Sequence, residues 1–197
     1  MEILTLYPDS VDSRAIARAA DLLRAGRLVI YPTDTHPALA ADALNPAAIE
    51  ALCRLKGVNP EKQKLTLVCD SIATASQYAR IDNRAFAVVR RNAPGPVTFL
   101  LPPAAAGLPK ELKKRKELGV RIPDNAIARA LAEELGRPLL SGSLGESDPM
   151  ELEAGVELLL ADASSEYAVE PVSSTIVDLT DSASPEIVRQ GAADVEL

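Results

Sequence analysis

Residues 26–64 read GRLVIYPTDTHPALAADALNPAAIEALCRLKGVNPEKQK, and the fold is decided in this stretch. Leu28 to Tyr31 form a short apolar run that follows a helix-ending glycine and is closed by Pro32, which has no N–H to give to a strand ladder. The run reads as a strand that hands over to the polar loop Thr33-Asp34-Thr35-His36. Asn45-Pro46 then starts a helix, because the asparagine side chain caps a free backbone N–H and proline's fixed φ suits the first turn. Ala48, Ile49, Leu52, Cys53 and Leu55 give that helix an apolar stripe, Gly57 stops it, and a basic loop leads out as far as Lys64. If the helix folds back on the strand, the loop hydroxyls and Lys56 face a common cleft.

Outward from this stretch, strand and helix patterns alternate. A helix is expected over residues 13–25, capped by Asp12 or Ser13 and ended by Gly26. LTLVCD (65–70) reads as a buried strand, followed by helical segments beginning near Ser71 and Asp82 and a break at Pro94-Gly95-Pro96. VTFLLP is the next strand, and LPKELKKRK a short basic helix or loop. Leu118 to Ile122 is a strand, and Asp124 is expected to cap a helix that closes at Gly136. PLLSGSLGESDP reads as a strand turning into a loop, with Ser147 or Asp148 capping a helix through about Leu160. Residues 161–171 are expected to be an exposed loop, and Ser173 to Leu179 and Glu186 to Arg189 are the last strands. Because helices also come in pairs, the pattern favours a mixed, twisted sheet flanked by helices over a simple doubly wound one.

Composition narrows the function. With 197 residues, 47% of them hydrophobic, the chain suits one domain with one substantial core. No apolar run is long enough to span a bilayer and no secretory leader is visible, so a cytoplasmic protein is expected. Cys53 and Cys69 make neither a disulfide framework nor a zinc site and are read as buried packing groups, and with one histidine no metal site is assigned. A net charge of −7 opposes non-specific nucleic-acid binding over the whole surface.

PTDT after a strand, a helix ending in LKG, then PGPVTFLL, VRIP, SGS, SSTIVDL and VRQG occur in that order. This succession, over about residues 14–192, resembles the YrdC-like family, and the PTD, ESDP and TIVDLTD wording looks closest to its YciO branch. The resemblance implies an α/β fold with a twisted, mixed open sheet flanked by helices and a large, basic concave cleft. It also implies threonylcarbamoyl-adenylate synthase chemistry, in which L-threonine, bicarbonate and ATP are joined with release of pyrophosphate. The product serves modification of a tRNA adenosine, and Mg²⁺ accompanies the ATP as a charge shield with no tightly bound cofactor.

Carried over by motif, Thr35, Arg121, Ser141 and Ser174 are the L-threonine-binding candidates. Lys56, Ser143, Ser147 and Arg189 are the ATP-binding ones. An arginine suits the amino-acid carboxylate because its planar fork bonds such a group bidentately. The chain departs from the family at the second cation of the Lys-x-Arg motif, which is Val58, and at the asparagine of the Ser-x-Asn motif, which is Gly145. Glu117 stands where the family has a threonine, and Pro37-Ala38-Leu39-Ala40 replaces a glycine-containing loop. Loss of one phosphate cation costs about two orders of magnitude in rate or affinity. A weakened ATP end is therefore expected.

Plainer readings stand beside these. Thr33 and Thr35 satisfy turn groups, His36 is read as a solvent-exposed loop histidine, and Lys56 complements a helix dipole. Arg121 pairs with either a ligand or a structural carboxylate. Lys110, Lys113, Lys114, Arg115 and Lys116 are read as a solvated face, and Asp162, Glu166 and Glu170 receive no acid or base role. Two other functions compete with the synthase: a non-catalytic module binding double-stranded RNA or tRNA by shape and charge, and a chain that keeps the scaffold without catalysis.

Overall fold

In the computed structural model the chain runs β1 (Glu2–Leu6), α1 (Ser13–Arg24), β2 (Val29–Tyr31), β3 (Ala38–Asp42), α2 (Pro46–Leu55) and β4 (Thr66–Val68). It continues through α3 (Ile72–Tyr78), α4 (Asn83–Asn92), β5 (Val97–Leu101), α5 (Lys110–Lys113), β6 (Leu118–Arg121) and α6 (Ala126–Leu135). After β7 (Leu139–Ser143) comes a 3-10 helix over Pro149–Gly155, then β8 (Leu158–Asp162), β9 (Thr175–Asp178) and β10 (Glu186–Arg189). The structure describes residues 1–59, 65–145, 147–164 and 173–197. The basic exit loop to Lys64, Glu146 of the ESDP motif, and Glu166 and Glu170 lie outside the described residues.

All the strands join one mixed sheet in the order β1-β8-β2-β3-β7-β4-β6-β5-β9-β10. Pairs β1/β8, β2/β8, β4/β6 and β5/β9 are parallel, and the others antiparallel. Alternation along the strands sends residues to two apolar layers. Ile30, Leu39, Leu67, Phe99, Val120 and Leu140 join a cluster with Ile49, Leu52 and Cys53 of α2 and with Val88 and Val89 of α4. Val29, Ala40, Val68, Leu139 and Leu158 join a second cluster with Ile16, Ala19 and Leu23 of α1 and Ile127 and Leu131 of α6. Helices therefore flank both faces of the sheet.

The helix signals act largely as read. Asn45 accepts from the N–H groups of Ala47 and Ala48 at the start of α2, with Pro46 in the first turn. Gly136 ends α6 in the left-handed region at φ 74°, where glycine lacks the Cβ penalty. Four readings are corrected. The α6 cap is Asn125, which accepts from the Ala128 N–H, and not Asp124. Ala38–Asp42, expected as loop, is a wholly buried strand. The helix expected to run through Leu160 is the 3-10 helix capped by Asp148, and its last residues are strand β8. The expected loop at 161–171 therefore begins inside β8. Strand β1 went unread altogether; it pairs with β8 in parallel.

The C-terminal segment is clasped to β9. The buried Thr175 hydroxyl accepts from the N–H groups of Gly191 and Ala193 and donates to the Ala193 carbonyl, while the Ala192 N–H reaches the Ser173 carbonyl. The approach is so close that a Cβ on Gly191 would collide with the Ser173 carbonyl oxygen and the Ser174 backbone. Gly191→Ala is expected to lower stability by about 1–3 kcal/mol, the usual cost of forcing volume into a packed site, read as a fall in melting temperature.

Both cysteines are buried and free. Burial pushes the Cys53 thiol up and the Cys69 thiol up to about 12, so at neutral pH they remain protonated and poorly nucleophilic. A thiol reagent at neutral pH should react with neither in the folded protein and with both in denaturant; rapid native labelling would contradict this packing.

Candidate functional site

The face of the sheet that carries α1 and α6 changes character toward β4, β6 and β5. There the residues that alternate with the core are Thr66, Thr98, Gly119, Arg121, Ser141 and Ser143, and they line one cavity of about 210 Å³. Tyr31, Thr33, Thr35, His36, Ser174 and Arg189 complete its polar wall. Buried polar side chains are the informative exceptions in a fold. Of His36, Asp42, Thr98, Arg121, Ser141, Ser174 and Thr175, all but Asp42 and Thr175 line this cavity. Asp42 is structural: it pairs with Arg137 at 3.0 Å and accepts from the Leu44 N–H.

Arg121 ends β6 and is 8% exposed. It donates through one terminal nitrogen to Thr35 Oγ1 at 2.9 Å and through the other to Asp34 Oδ1 at 2.5 Å. The second Asp34 oxygen accepts from the Asp124 N–H at 2.9 Å, which is Asp124's place in the structure. The carboxylate partner of Arg121 is thus supplied by the chain itself. The turn is held by Thr33, whose hydroxyl donates to the His36 carbonyl at 2.7 Å and accepts from the Thr35 N–H at 3.0 Å. His36 is 8% exposed, which corrects the reading of a solvent-exposed loop histidine.

Hydroxyls elsewhere on the wall pair with one another. Tyr31 donates to Ser141 Oγ at 2.7 Å, and burial, outweighing that bond, pushes its phenol up to about 12. Thr98 and Ser174 share a hydrogen bond at 2.9 Å. Arg189 donates to the Ser174 carbonyl at 2.7 Å. Ser143 and Arg189 are exposed and form the solvent side of the cavity.

The cavity gathers Thr35, Arg121, Ser141, Ser143, Ser174 and Arg189, but neither Lys56 nor Ser147. Lys56 lies on the reverse face of β7: a Cβ on Gly142 would stand 2.6 Å from its Cδ, and its ammonium donates to the Ser143 carbonyl at 2.6 Å. Burial holds that ammonium below its ordinary value. The common cleft of loop hydroxyls and Lys56 therefore does not form. Ser147 follows the left-handed Gly145 and is exposed. Val58 packs partly buried against the apolar layer of α2, and Glu117 is half-buried off the cavity wall. Tyr31, Thr66, Thr98 and Gly119 were not anticipated. Their signal was a small or hydroxyl-bearing residue at alternate positions of otherwise apolar strands, as in VTFLL and LGVR.

The comparisons with known proteins bear on the family and the fold. A model of the Sua5/YciO/YrdC family, described as "Telomere recombination", matches residues 21–191. An uncharacterised YciO protein of Escherichia coli is 37% identical over 204 residues, covering 97% of this chain and 96% of that protein. The crystal structure of E. coli YciO superposes with a TM-score of 0.86 at 35% identity, over 98% of both chains. A threonylcarbamoyl-AMP synthase of Thiobacillus denitrificans is 33% identical over 126 residues, covering 64% of this chain and 66% of that one. P. abyssi Sua5 complexed with L-threonine matches at a TM-score of 0.83 and 26% identity, over 97% of this chain and 58% of the longer one. Motifs, sheet and both kinds of relative lead to one assignment: the chain belongs to the Sua5/YciO/YrdC family.

Proposed function

We propose that this protein binds L-threonine in the cavity beside Arg121 and a nucleotide across its exposed side, as a threonylcarbamoyl-AMP synthase-like protein with a weakened phosphate end. One observation carries the reading: Thr35, Arg121, Ser141 and Ser174, from four separate chain segments, line a single cavity. Its volume of about 210 Å³ lies below the roughly 300–1,000 Å³ of sites for drug-sized ligands. An amino acid fits inside, and a nucleoside triphosphate must lie outward, by Ser143 and Arg189.

In this reading Arg121 and the hydroxyls orient the amino acid, and its amine displaces hydroxide from bicarbonate, which leaves as water with the amine's proton, to give the carbamate. Arg189 faces the triphosphate, whose transfer of the adenylyl group to the carbamate releases pyrophosphate. Mg²⁺ is expected with the phosphates, supplying charge neutralisation. Among the described residues no group of three or more His, Cys, Asp or Glu side chains converges to hold an ion. The described residues therefore do not form a cage of their own. The phosphate end is weak because Lys56 is engaged with the Ser143 carbonyl and Val58 is apolar and packed against the core.

A double-stranded RNA or tRNA module is the competing reading, resting on the exposed Lys110, Lys113, Lys114 and Lys116. No helix among the described residues is long and apolar enough to cross a membrane.

Calorimetry with L-threonine, then with ATP and Mg²⁺, decides between the two. Heat from L-threonine at millimolar concentration or below supports the synthase-like reading. Silence toward L-threonine, with RNA binding that weakens steeply as salt rises, replaces it with the RNA reading. Arg189→Ala should weaken Mg-ATP binding by about tenfold, the loss of one charge-assisted hydrogen bond, with L-threonine affinity nearly unchanged.

A further inference from the structure

The hydroxyls that line the cavity are bound to partners within the chain, with one exception. Tyr31 donates to Ser141 Oγ, Thr98 and Ser174 share a hydrogen bond, and Arg121 donates to Thr35 Oγ1. Thr33 holds the His36 carbonyl, and Ser143 Oγ accepts from the Gly145 N–H. Thr66, also on the wall, forms no hydrogen bond through Oγ1 with any described residue. The residue is half-buried, and its oxygen is not one of the unpartnered polar atoms sealed inside the fold. A hydroxyl that is neither bonded nor sealed is open to the cavity it lines.

Its place is built by the sheet. Thr66 begins β4 and pairs with Gly119 of β6 on one side and with Ser141 of β7 on the other. Residues paired across a ladder project to the same face, so the Thr66 side chain stands on the face that carries the cavity. Gly119 leaves a notch there: a Cβ would stand 3.2 Å from Thr66 Oγ1 and 3.3 Å from Thr98 Cγ2. The uncommitted hydroxyl thus sits on an inner strand fixed by ladders on both sides, and a binding group on so rigid an element keeps its geometry.

Resting on the small-molecule reading above, we infer that Thr66 is a specificity-determining residue whose hydroxyl bonds the side-chain hydroxyl of a bound amino acid. In that reading Arg121 takes the carboxylate, and Val68, its partner in the ladder, lies two residues along β4 from Thr66. At about 3.3 Å per residue, Thr66 stands roughly 7 Å along the strand from that level, so it meets the substituent and not the carboxylate. A hydroxyl both donates and accepts, and so pairs with a second hydroxyl in either sense. A ligand methyl in the same place would displace water from Thr66 Oγ1 and return no bond. The ligand class is a small amino acid that bears a hydroxyl, in preference to its apolar isostere.

The test is calorimetric titration of the folded full chain and of Thr66→Val with L-threonine, L-serine, L-valine and L-alanine. Valine keeps the branched shape and exchanges only the hydroxyl for a methyl. Thr66→Val should bind L-threonine and L-serine about fivefold more weakly, the loss of one neutral hydrogen bond. It should bind L-valine and L-alanine no more weakly than the parent does, at an unchanged melting temperature. Thr66→Ser, which keeps the hydroxyl, should retain most of the affinity for L-threonine. A loss of the same size for all four amino acids, or no loss for L-threonine, overturns the inference and leaves the small-molecule reading intact. An L-serine response that weakens in Thr66→Val, with silence toward L-threonine, supports the inference and removes only the choice of L-threonine. Silence toward all four overturns the two together. Should Thr66→Val fail to fold, the parent still decides: L-threonine and L-valine have nearly the same shape, and equal or stronger binding of L-valine overturns the inference.

Discussion

The ion pair between Asp34 and Arg121 is the constraint on which the site depends. Both side chains are about nine-tenths buried, at 11% and 10% exposure, and they join residues 87 apart in the chain. Removing one partner of such a pair leaves an uncompensated buried charge, at a cost of about 3–5 kcal/mol. The pair therefore anchors the PTDT loop to the end of β6 whether or not anything is bound. It also sets the electrostatics, since a neutralised guanidinium is a directional donor more than a free positive charge. A cavity built this way suits a small zwitterion better than a polyanion.

The location of the cavity follows from how the helices divide the sheet. Packing of α1 and α6 takes the alternate residues of β2, β3 and β8, where the side chains are Val, Tyr, Ala and Leu. Beyond them the same face continues with threonine, serine, glycine and arginine. Hydroxyl side chains can be buried there because they satisfy one another, and Gly119 leaves floor space where a Cβ would press on Thr66 and Thr98. Polar residues at every second position of an apolar strand are thus the local cause of the hollow.

Much of this could be read from the chain, because the strongest signals were chemical and local. Asn45-Pro46 starts a helix wherever it falls, and VTFLL with flanking prolines admits little but a strand. Strand β3 escaped because Ala38-Leu39-Ala40-Ala41-Asp42 is poor in β-formers and buried on both faces, so neither propensity nor alternation marks it. The residues of β8 follow a Glu- and Leu-rich segment that reads as helix, and tertiary pairing with β1 and β2 overrides it. Loop residues were harder still. That His36 turns inward depends on one threonine hydroxyl gripping its carbonyl, and that Lys56 runs behind β7 depends on the missing side chain of Gly142, neither of which a linear pattern encodes.

The walls of the cavity come from β2, β3, β4, β5, β6, β7, β9 and β10, joined by pairings distant in sequence. No fragment of the sheet contains the hollow, so it comes into being only when the long-range ladder is complete. Any molecule that occupies it recognises the native state alone, and its binding free energy is added to the resistance of the entire chain to unfolding. The melting curve of this protein is therefore itself a gauge of occupancy, and a metabolite that fits would protect regions of the sheet it never touches.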